Sequence, residues 1–378
     1  MAEPDVDPSL DETVVLAITE VDVLQPGGET AAGARRVTAE FEACHALRMA
    51  HELAAWGNLD RCPTLQEAAE FWQGNEYEER HLYLARLGTE TVGICSVTLP
   101  LRENTNTAGI AVLVAPVHRR QGLGRALLMH AEAVARERGR TSLDAYHEVP
   151  LEAANGTALL PAKSGAGGLP LDEPAVAFAV AAGYELEQVE RSSRLALPVP
   201  PELLDRLEAE ASARAAEYSI IGWNDSCPED LLQAYAQLKA TMSTDVPIAG
   251  LDWEREDWDV ARVREEENTL IRSGVQSAVT AARQRETGHL AAYTVLNWRP
   301  GVPDSIVQQD TLVTSEHRGR RLGMLTKVAN LRRAQSRWPA ARSVLTWNAN
   351  ENQHMLAINI ALGFKPAGYE GEWQKRLG

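Results

Sequence analysis

The sequence predicts an α/β (α+β) protein that contains two copies of one domain, each a sheet flanked by helices. The 378 residues exceed what a single core usually covers. The string PVHRRQGLGR at 116–125 recurs as SEHRGRRLGM at 315–324, at an offset of 318 − 119 = 199 residues. A second match, FAVAAGYEL at 178–186 with INIALGFKP at 358–366, has an offset of 358 − 178 = 180. The difference, 199 − 180 = 19 residues, falls naturally in 148–174, a Gly-, Ala- and Pro-rich stretch that predicts a long loop.

Apolar periodicity predicts the elements of the first copy in order. The stretch 125–139 illustrates the helical pattern, because Leu127, Leu128, Ala131, Val134 and Ala135 share one face. The copy contains a strand at 14–24, helices at 38–56 and 64–74, a hairpin of 81–88 with 91–101, a strand at 109–116, a helix at 125–139, a strand at 142–149 and a helix at 175–183.

The second copy repeats this order after a Pro-marked linker that runs into a helix. We therefore expect an N-terminal domain at 1–196, a linker with a helix at 197–216 and a C-terminal domain at 217–378. The predicted elements are a strand at 217–223, helices at 228–242 and 259–273, a hairpin at 276–298, a strand at 307–313, a helix at 323–337, a strand at 343–348 and a helix at 354–363.

Composition describes an ordinary soluble chain and excludes several functions. No apolar run is long enough for a membrane span, and the acidic N-terminus does not resemble a signal peptide. The formal net charge of −16 argues against nucleic acid or an anionic membrane as the main partner, and it either suits a cationic ligand or serves solubility. The four cysteines fit no metal spacing and suggest a reducing cytoplasm: Cys44, Cys62, Cys95 and Cys227. No metal site is expected.

The repeated string has a direct physical meaning. A strand, then Arg-x-x-Gly-x-Gly, then a helix places several backbone N–H groups at a helix N-terminus, where the dipole favours an anion such as a pyrophosphate. Glycine lets the backbone approach the phosphates, and arginine adds positive charge. The preceding strands form hairpins, so this is not the dinucleotide-binding βαβ fingerprint.

VLVAPVHRRQGLGRALL at 112–128 resembles motif A of the GNAT N-acetyltransferase superfamily, and TLVTSEHRGRRLGMLTK at 311–327 resembles it again. TWNANENQHMLAINIALGF at 346–364 is similar to the family's motif B. The resemblance covers nearly the whole chain and implies tandem GNAT domains in a mycothiol-synthase-like arrangement, each with a mixed, mostly antiparallel sheet. Acetyl-CoA is the implied cofactor.

The resemblance assigns cofactor contacts residue by residue. In the first copy, the strand end would pair with pantetheine and the loop would hold the pyrophosphate; these residues are Val112, Leu113, Val114, Arg119, Arg120, Gln121, Gly122, Leu123, Gly124 and Arg125. In the second copy, the equivalents are Leu312, Val313, Thr314, Arg318, Gly319, Arg320, Arg321, Leu322 and Gly323, with Asn352 near the cofactor arm. Arg321 replaces Gly122, so it either adds a phosphate contact or keeps the backbone away.

The second copy is the better candidate for chemistry. Attack on a thioester requires a neutral amine, and Asp310 on the predicted strand could accept its proton, whereas the first copy has Ala111 there. Alternatively, Asp310 is a strand-end carboxylate satisfied by neighbouring N–H groups. The superfamily's usual acid, a tyrosine in motif B, is replaced by Ala179 and Asn359. Asn359 could donate a hydrogen bond in catalysis or pack locally.

The connection at 243–259 could form the substrate site. It interleaves carboxylates with indole rings, and we expect Asp245, Trp253, Glu254 and Trp258 to bind a cationic amine. An acidic surface loop that caps the next helix is the other interpretation.

The leading hypothesis is an N-acetyltransferase that acts on a primary amine of a small cationic molecule. An aminoglycoside-type antibiotic, in a resistance role, and the amine of a thiol-sugar conjugate are the candidates. A non-catalytic acyl-CoA sensor or assembly protein is the alternative, and a homodimer through an edge strand is left open.

Overall fold

The computed structural model describes residues 15–29, 35–154, 158–245 and 247–377. The first repeat begins with two short strands and two helices and then forms an antiparallel sheet. Its elements are β1 (Leu16–Glu20), β2 (Leu24–Glu29), β3 (Arg35–Val37), α1 (Ala39–Trp56), α2 (Leu65–Phe71), β4 (Glu78–Leu87), β5 (Glu90–Pro100), β6 (Thr107–Val114), α3 (Leu123–Glu137), β7 (Ser142–Pro150), β8 (Leu159–Pro161), β9 (Gly168–Pro170), α4 (Pro174–Ala181) and β10 (Glu185–Ala196).

The second repeat has the same order, preceded by a helix within the predicted linker. Its elements are α5 (Pro201–Ser212), β11 (Tyr218–Asn224), α6 (Glu229–Asp245), α7 (Val260–Arg272), β12 (Gln276–Gln284), β13 (Leu290–Trp298), β14 (Ser305–Val313), α8 (Leu322–Arg337), β15 (Ser343–Ala349), α9 (Gln353–Leu362) and β16 (Lys365–Arg376). No helix among the described residues is both long and apolar enough to cross a membrane.

Twelve of these strands form one continuous mixed sheet, in the order β1-β4-β5-β6-β7-β16-β10-β15-β14-β13-β12-β11. The two repeats exchange their last strands. The final strand of the second repeat, β16, pairs with β7 of the first, while β10 of the first repeat pairs with β15 of the second. The same two strands pair with each other at the centre. A boundary drawn along the chain therefore does not divide the sheet into two separate halves.

Helices cover both faces of the sheet and enclose four apolar clusters. On one face, Phe41 and Leu84 pack under α1 and α2, and Leu232 and Tyr293 pack under α6 and α7. On the other face, two larger clusters lie under α3 and α4 and under α5 and α8. All four cysteines are buried thiols without disulfides. The helix pairs α1–α2 and α6–α7 meet on the same face of the sheet, where Gln66 and Glu70 of α2 contact Arg272 of α7.

Three sequence predictions need correction. The stretch 14–24 is not one strand, since β1 ends at Glu20 and β2 begins at Leu24; residue 14 lies outside the described residues. The predicted loop 148–174 contains the small β8–β9 hairpin. The central strands β10 and β16 were not predicted at all. Both strands carry acidic side chains, and Glu190 of β10 lies opposite Glu370 of β16.

Candidate acyl-transfer site in two unequal copies

In both repeats two parallel strands diverge at the place where the sequence predicts the cofactor arm. The pairing of β6 with β7 covers only Thr107–Gly109, and that of β14 with β15 covers only Ser305–Val307. Beyond these points the first strand of each pair continues to Val114 or Val313. The peptide groups of Val112–Val114, and of Leu312 with Val313, therefore line a wedge-shaped gap that an extended amide-bearing chain such as pantetheine fits. Thr314 lies just past the strand and is anchored to Ala291 by its N–H.

The two loops that follow have the same backbone despite their different sequences. Positive φ angles occur at Arg120 (63°) and Gly122 (84°) in the first loop and at Gly319 (80°) and Arg321 (55°) in the second. With the offset of 199, these are the same two positions. Each loop places glycine at one of them and arginine at the other. Arg321 thus adopts the left-handed conformation of Gly122, which costs a non-glycine residue roughly 1–2 kcal/mol, and both sequence alternatives for its side chain stay predictions.

Both loops lead into helices whose N-termini carry no side-chain cap. The first-turn N–H groups of α3 and α8 receive no capping hydrogen bond, whereas α1, α2 and α7 are capped by Thr38, Thr64 and Asp259. Four N–H groups at a helix start lack partners within the helix and attract anions. Both loops thus offer the N–H groups that a diphosphate needs, and the cofactor contacts of Leu123, Gly124, Leu322 and Gly323 stay predictions.

The arginines distinguish the two loops. Within the described residues, Arg119, Arg120 and Arg125 form no ion pair, and the Nε of Arg119 donates to the Val114 carbonyl at 3.2 Å. In the second loop the arginines already have anionic or hydroxyl partners. Arg318 pairs with Asp245 at 2.9 Å, Arg321 pairs with Glu210 of α5 at 2.9 Å, and Arg320 lies 3.8 Å from Glu217 and contacts the Tyr218 hydroxyl. The first loop is therefore the more available anion site.

The second repeat alone has a β-bulge on its diverging strand. Thr294 faces Thr311 and Leu296 faces Gln308, so Gln309 and Asp310 together oppose a single residue of β13. The corresponding ladder of β5 and β6 runs from Gly93 to Thr98 without any shift. A bulge leaves its extra residue outside the ladder, and such irregularities concentrate next to active sites. The bulge takes peptide N–H groups beside Asp310 out of the regular ladder, while the Asp310 carbonyl accepts hydrogen bonds from the side chains of Thr294, Gln308 and Thr311. Ala111 in the first repeat lies in an uninterrupted ladder.

Asp310 is held in a defined position by two donors. Its Oδ2 accepts a hydrogen bond from the Tyr293 hydroxyl at 2.9 Å and lies 3.3 Å from the Lys239 Nζ. Lys239 also contacts Glu266 at 2.9 Å and the ring of Trp258 at 4.4 Å. Burial is the largest single influence and by itself would lower the pKa of Lys239, but the contributions of Asp310, Tyr235 and Glu266 together outweigh it and raise the pKa, so the ammonium stays charged. Both contacts use Oδ2, and the Asp310 side chain is 29% exposed, which leaves Oδ1 for a ligand.

The two asparagines of the second repeat have local partners. Asn359 is 2% exposed and donates its Nδ2 to the Oδ1 of Asn348 at 2.6 Å, which favours packing over the catalytic alternative. The side chain of Asn352 accepts the N–H of Met355 and caps α9. Its oxygen is therefore engaged in the helix start, and only its amide N–H groups remain for the predicted contact with the cofactor arm.

The four predicted substrate side chains do not converge on one point. Asp245 pairs with Arg318, and Trp258 packs on Lys239. Trp253 and Glu254 instead reach the first repeat. The Trp253 Nε1 donates to Asp144 at 3.0 Å, and the Glu254 N–H donates to the Oδ1 of Asn104 at 2.5 Å. The connection is thus a bridge between the repeats rather than the wall of a pocket inside the second one.

The strongest acidic feature lies on the exchanged strands, and sequence reasoning missed it. Glu370 of β16 stands opposite Glu148 of β7 on one side and Glu190 of β10 on the other, so three carboxylates form a row across the sheet. Asp144 and Glu372 extend this face. We call it the acidic face, defined by Asp144, Glu148, Glu190, Glu370 and Glu372. The alternating acids in GYEGEW at 368–373 were the signal that could have revealed it.

Among the described residues, Glu148 is the one carboxylate of the acidic face that has an ion pair, and Arg48 contacts Tyr146 on the same face. Arg61 is the ion-pair partner of Glu148 at 3.1 Å and stacks on Trp56 at 3.5 Å. Burial raises the pKa of Glu190 to about 7 and that of Glu372 to about 8. Tyr146, between these acids on β7, is nevertheless 61% exposed, so the centre of the face is open to solvent. Carboxylates that cost free energy when ionised favour a bound cation.

The fold, with its diverging strands and the two loops that fit a diphosphate, is that of the acyl-CoA transferase class, and here two copies of one domain share a sheet. Residues 47–157 match the family model described as Acetyltransferase (GNAT) family. Among solved structures, the chain resembles a tandem GNAT protein from the clavulanic acid biosynthesis pathway, with 26% identity, a TM-score of 0.71, and coverage of 96% of this chain and 99% of that one. Residues 47–157 therefore form a GNAT domain, and the whole chain has the architecture of a tandem GNAT protein.

Two further structures share the fold. A GCN5-related N-acetyltransferase from Sphaerobacter thermophilus is 14% identical, with a TM-score of 0.59 over 91% of this chain and 96% of that one. A glucosamine N-acetyltransferase region of a fungal multi-domain GH3 β-N-acetylglucosaminidase is 12% identical, with a TM-score of 0.62 over 99% of this chain and 40% of that one. At these identities the likeness concerns the fold alone. No curated protein sequence matches the chain significantly.

Proposed function

We propose that the protein is an acetyl-CoA-dependent N-acetyltransferase that acts on a primary amine of a small cationic molecule. The observation that carries the proposal is the bulge of β14, which puts Asp310 and freed peptide groups beside the diverging strands of the second repeat. Acetyl-CoA supplies an activated acyl thioester. Acyl transfer to an amine further requires a proton acceptor and donors for a developing oxyanion, and the bulge provides candidates for both.

The residues of the second repeat divide these tasks. Tyr293 and Lys239 orient Asp310 through Oδ2, and its Oδ1 accepts the ammonium proton of the incoming amine. Peptide N–H groups of the bulge stabilise negative charge on the carbonyl oxygen. In this proposal both substrates are bound together and the amine attacks directly. The first repeat, with Ala111 and a continuous ladder, binds cofactor without chemistry.

Charge supports the choice of substrate class. The acidic face has five carboxylates, and of these Glu148 is paired with Arg61. An aminoglycoside-type antibiotic is one candidate, because it presents several ammonium groups to such a surface. We propose no nucleic acid or membrane partner, and the four unpaired thiols support a reducing compartment such as the cytoplasm.

Release of free CoA in the presence of an amine panel tests the proposal. Asp310→Asn should lower turnover by about 10²- to 10⁴-fold, the contribution of a positioned base, while leaving CoA affinity within twofold. Ala111→Asn, at the equivalent position of the first repeat, is the matched control and should leave turnover unchanged. Comparing Arg119→Ala with Arg318→Ala shows which loop holds the CoA used in turnover. Equal losses from Ala111→Asn and Asp310→Asn would contradict the assignment.

A non-catalytic acyl-CoA sensor is the second candidate. One specific observation favours it: Arg318 and Arg321 of the second loop are already paired with carboxylates. Saturable CoA binding without any amine-dependent thiol release would support the sensor and exclude the enzyme.

A further inference from the structure

A buried ring nitrogen of His147 lies without a partner beside the gap of the first repeat. The last paired residues of the two diverging strands are Gly109 and Asp144. Three residues further along their strands stand Val112 and His147 (112 − 109 = 147 − 144 = 3), so the imidazole lies level with a peptide group that lines the gap. The Nε2 atom of His147 is buried, and no described residue shares a hydrogen bond with it. Such atoms are rare in folded proteins, and this one requires an explanation.

The other ring nitrogen shows where the proton of the imidazole is. An indole N–H is a donor only, and the Nε1 of Trp373 donates to the Nδ1 of His147 at 3.0 Å. Nδ1 is therefore an acceptor without a proton, and the neutral ring carries its proton on Nε2. Burial lowers the pKa of His147 to about 4, so the ring is neutral near pH 7. His147 thus presents an N–H donor rather than a base.

The position of Trp373 directs this donor toward the gap. Trp373 belongs to β16, which pairs with β7 on the side opposite to β6. The two nitrogens of an imidazole form their hydrogen bonds on opposite sides of the ring, so Nε2–H is directed away from β16. The Oε2 of Glu173 lies 3.6 Å from Nε2, beyond hydrogen-bond distance, and already accepts the N–H groups of Ala175 and Val176 at the start of α4. The Nε2–H group is therefore available to a ligand.

The second repeat closes the same position with its own side chains. The parallel pairings of β6 with β7 and of β14 with β15 put Asn348 in the place of His147. The Oδ1 of Asn348 accepts a hydrogen bond from Asn359 of α9 at 2.6 Å. In α4 the residue equivalent to Asn359 is Ala179, whose methyl group neither donates nor accepts. Among the described residues, the donor at this position is left open in the first repeat alone.

The acylated arm of acyl-CoA is the ligand that fits this donor. The peptide groups of β6 beside the gap suit an extended amide-bearing chain, and such a chain brings carbonyl oxygens, which accept hydrogen bonds. An imidazole that stays neutral and already carries its proton on Nε2 holds a carbonyl but takes no proton from an amine. His147 is therefore suited to position a cofactor in a repeat that performs no chemistry.

We infer that the Nε2–H group of His147 donates a hydrogen bond to a carbonyl oxygen of the acyl-pantetheine arm in the gap of the first repeat. The inference rests on the proposed binding of acyl-CoA by the first repeat. It adds to that proposal a side chain that holds the cofactor arm, separate from the loop that holds the diphosphate.

Calorimetry with acetyl-CoA and with CoA tests the inference in an Arg318→Ala background, which weakens the second loop. His147→Asn keeps an acceptor for Trp373 but has no donor as far from the backbone as Nε2. Its affinity for acetyl-CoA should fall by about two- to tenfold, the range for one hydrogen bond. His147→Gln places an amide N–H at the reach of Nε2 and should keep the affinity within twofold. An equal loss with CoA identifies a pantetheine amide as the acceptor, and a loss with acetyl-CoA alone identifies the thioester.

ADP is the control ligand, because it carries a diphosphate without the pantetheine arm. In the same background it should bind equally well with His147 and with either substitution. Unchanged acetyl-CoA affinity in His147→Asn, an equal loss in His147→Gln, or an equal loss of ADP affinity would each overturn the inference.

Nitrogen-15 NMR of the histidine side chains gives an independent readout on the native protein. The signal that His147→Gln removes belongs to His147. When acetyl-CoA binds, its Nε2–H proton should move downfield and exchange more slowly with water, and a signal that acetyl-CoA does not alter would overturn the inference. Acetyl-CoA binding and amine-dependent thiol release without these effects would leave the acetyltransferase proposal standing. Absence of acetyl-CoA binding to the native protein would refute both.

Discussion

Glu190 offers a direct test of the acidic face through protein stability. It stands on β10 opposite Glu370, and the described residues provide it with no ion pair. Burial is the main cause that raises its pKa to about 7, and the charge of Glu351 adds to it. The change we consider is Glu190→Gln, which keeps the size of the side chain and mimics the protonated carboxyl group.

The sign and size of the effect follow from linkage. A carboxyl group with a raised pKa in the folded state favours folding fully only below its unfolded pKa, and this stability is lost as the pH rises through the folded value. Between 4.5 and about 7 the difference in pKa is 2.5, which corresponds to about 3 kcal/mol at pH 8. Because Glu190 is only half-buried, solvent screening reduces the expected gain for Glu190→Gln to about 1–3 kcal/mol. At pH 4 the gain should vanish.

Urea denaturation midpoints at pH 4, 6 and 8 measure this dependence. Glu286→Gln serves as the matched control, because Glu286 is exposed and lies in a β-turn far along the chain from the acidic face. The reasoning is refuted if Glu190→Gln stabilises equally at all three pH values, or if it destabilises the protein at pH 8. The first result would indicate a packing effect, and the second would indicate an ion-pair partner for Glu190.

Two further substitutions test the second repeat's polar cluster and the first loop. Lys239→Met should lower the free energy of unfolding by about 3 kcal/mol at pH 8, since breaking a buried pair leaves Asp310 and Glu266 without their cation. The loss should be smaller at pH 4, because burial raises the pKa of Glu266 above its usual value and a protonated acid needs no cation; equal losses at both pH values in urea denaturation would contradict this. Gly122→Ala should cost about 1–2 kcal/mol by thermal denaturation, from its φ of 84° alone, because an added Cβ meets no atom within 4 Å. Gly124→Ala, which has no positive φ, is the control, and an equal loss there would refute the backbone explanation.

The duplicated strings allowed the fold class to be predicted, because strand, loop and helix signals recur at the same offset. The equivalence of the loops was also readable, since RRQG and RGRR each place one glycine at one of two positions that require a positive φ. The central strands β10 and β16 could not be predicted from the sequence in the same way. In β10 the register shifts near Gln188 and again at Ser193, so the alternation of apolar and polar residues changes phase within one strand.

Contacts between distant residues could not be predicted from the pattern either. Asp245 and Arg318 were both assigned to ligands, one to the amine and one to the cofactor, and the structure pairs them with each other. Each assignment was reasonable for its own residue type, because a carboxylate suits a cation and a guanidinium suits a phosphate. Local sequence specifies which charges a segment carries, but only the tertiary structure determines whether those charges neutralise one another before any ligand arrives.

Because the two repeats exchange strands, their sequences can differ while both repeats remain parts of one sheet. Glu190 belongs to the first repeat and Glu370 to the second, yet they face each other in adjacent strands. Like charges placed directly opposite in a sheet are destabilising, so the acidic face itself opposes the pairing of these strands. The exchanged backbone ladders of β7, β16, β10 and β15 hold the repeats together in spite of it, while the diverging strands outside them are free to differ. In the first repeat, the loop keeps arginines that form no ion pair with the described residues. In the second repeat, the diverging strand β14 has a bulge with Asp310, which the buried Lys239 holds in place.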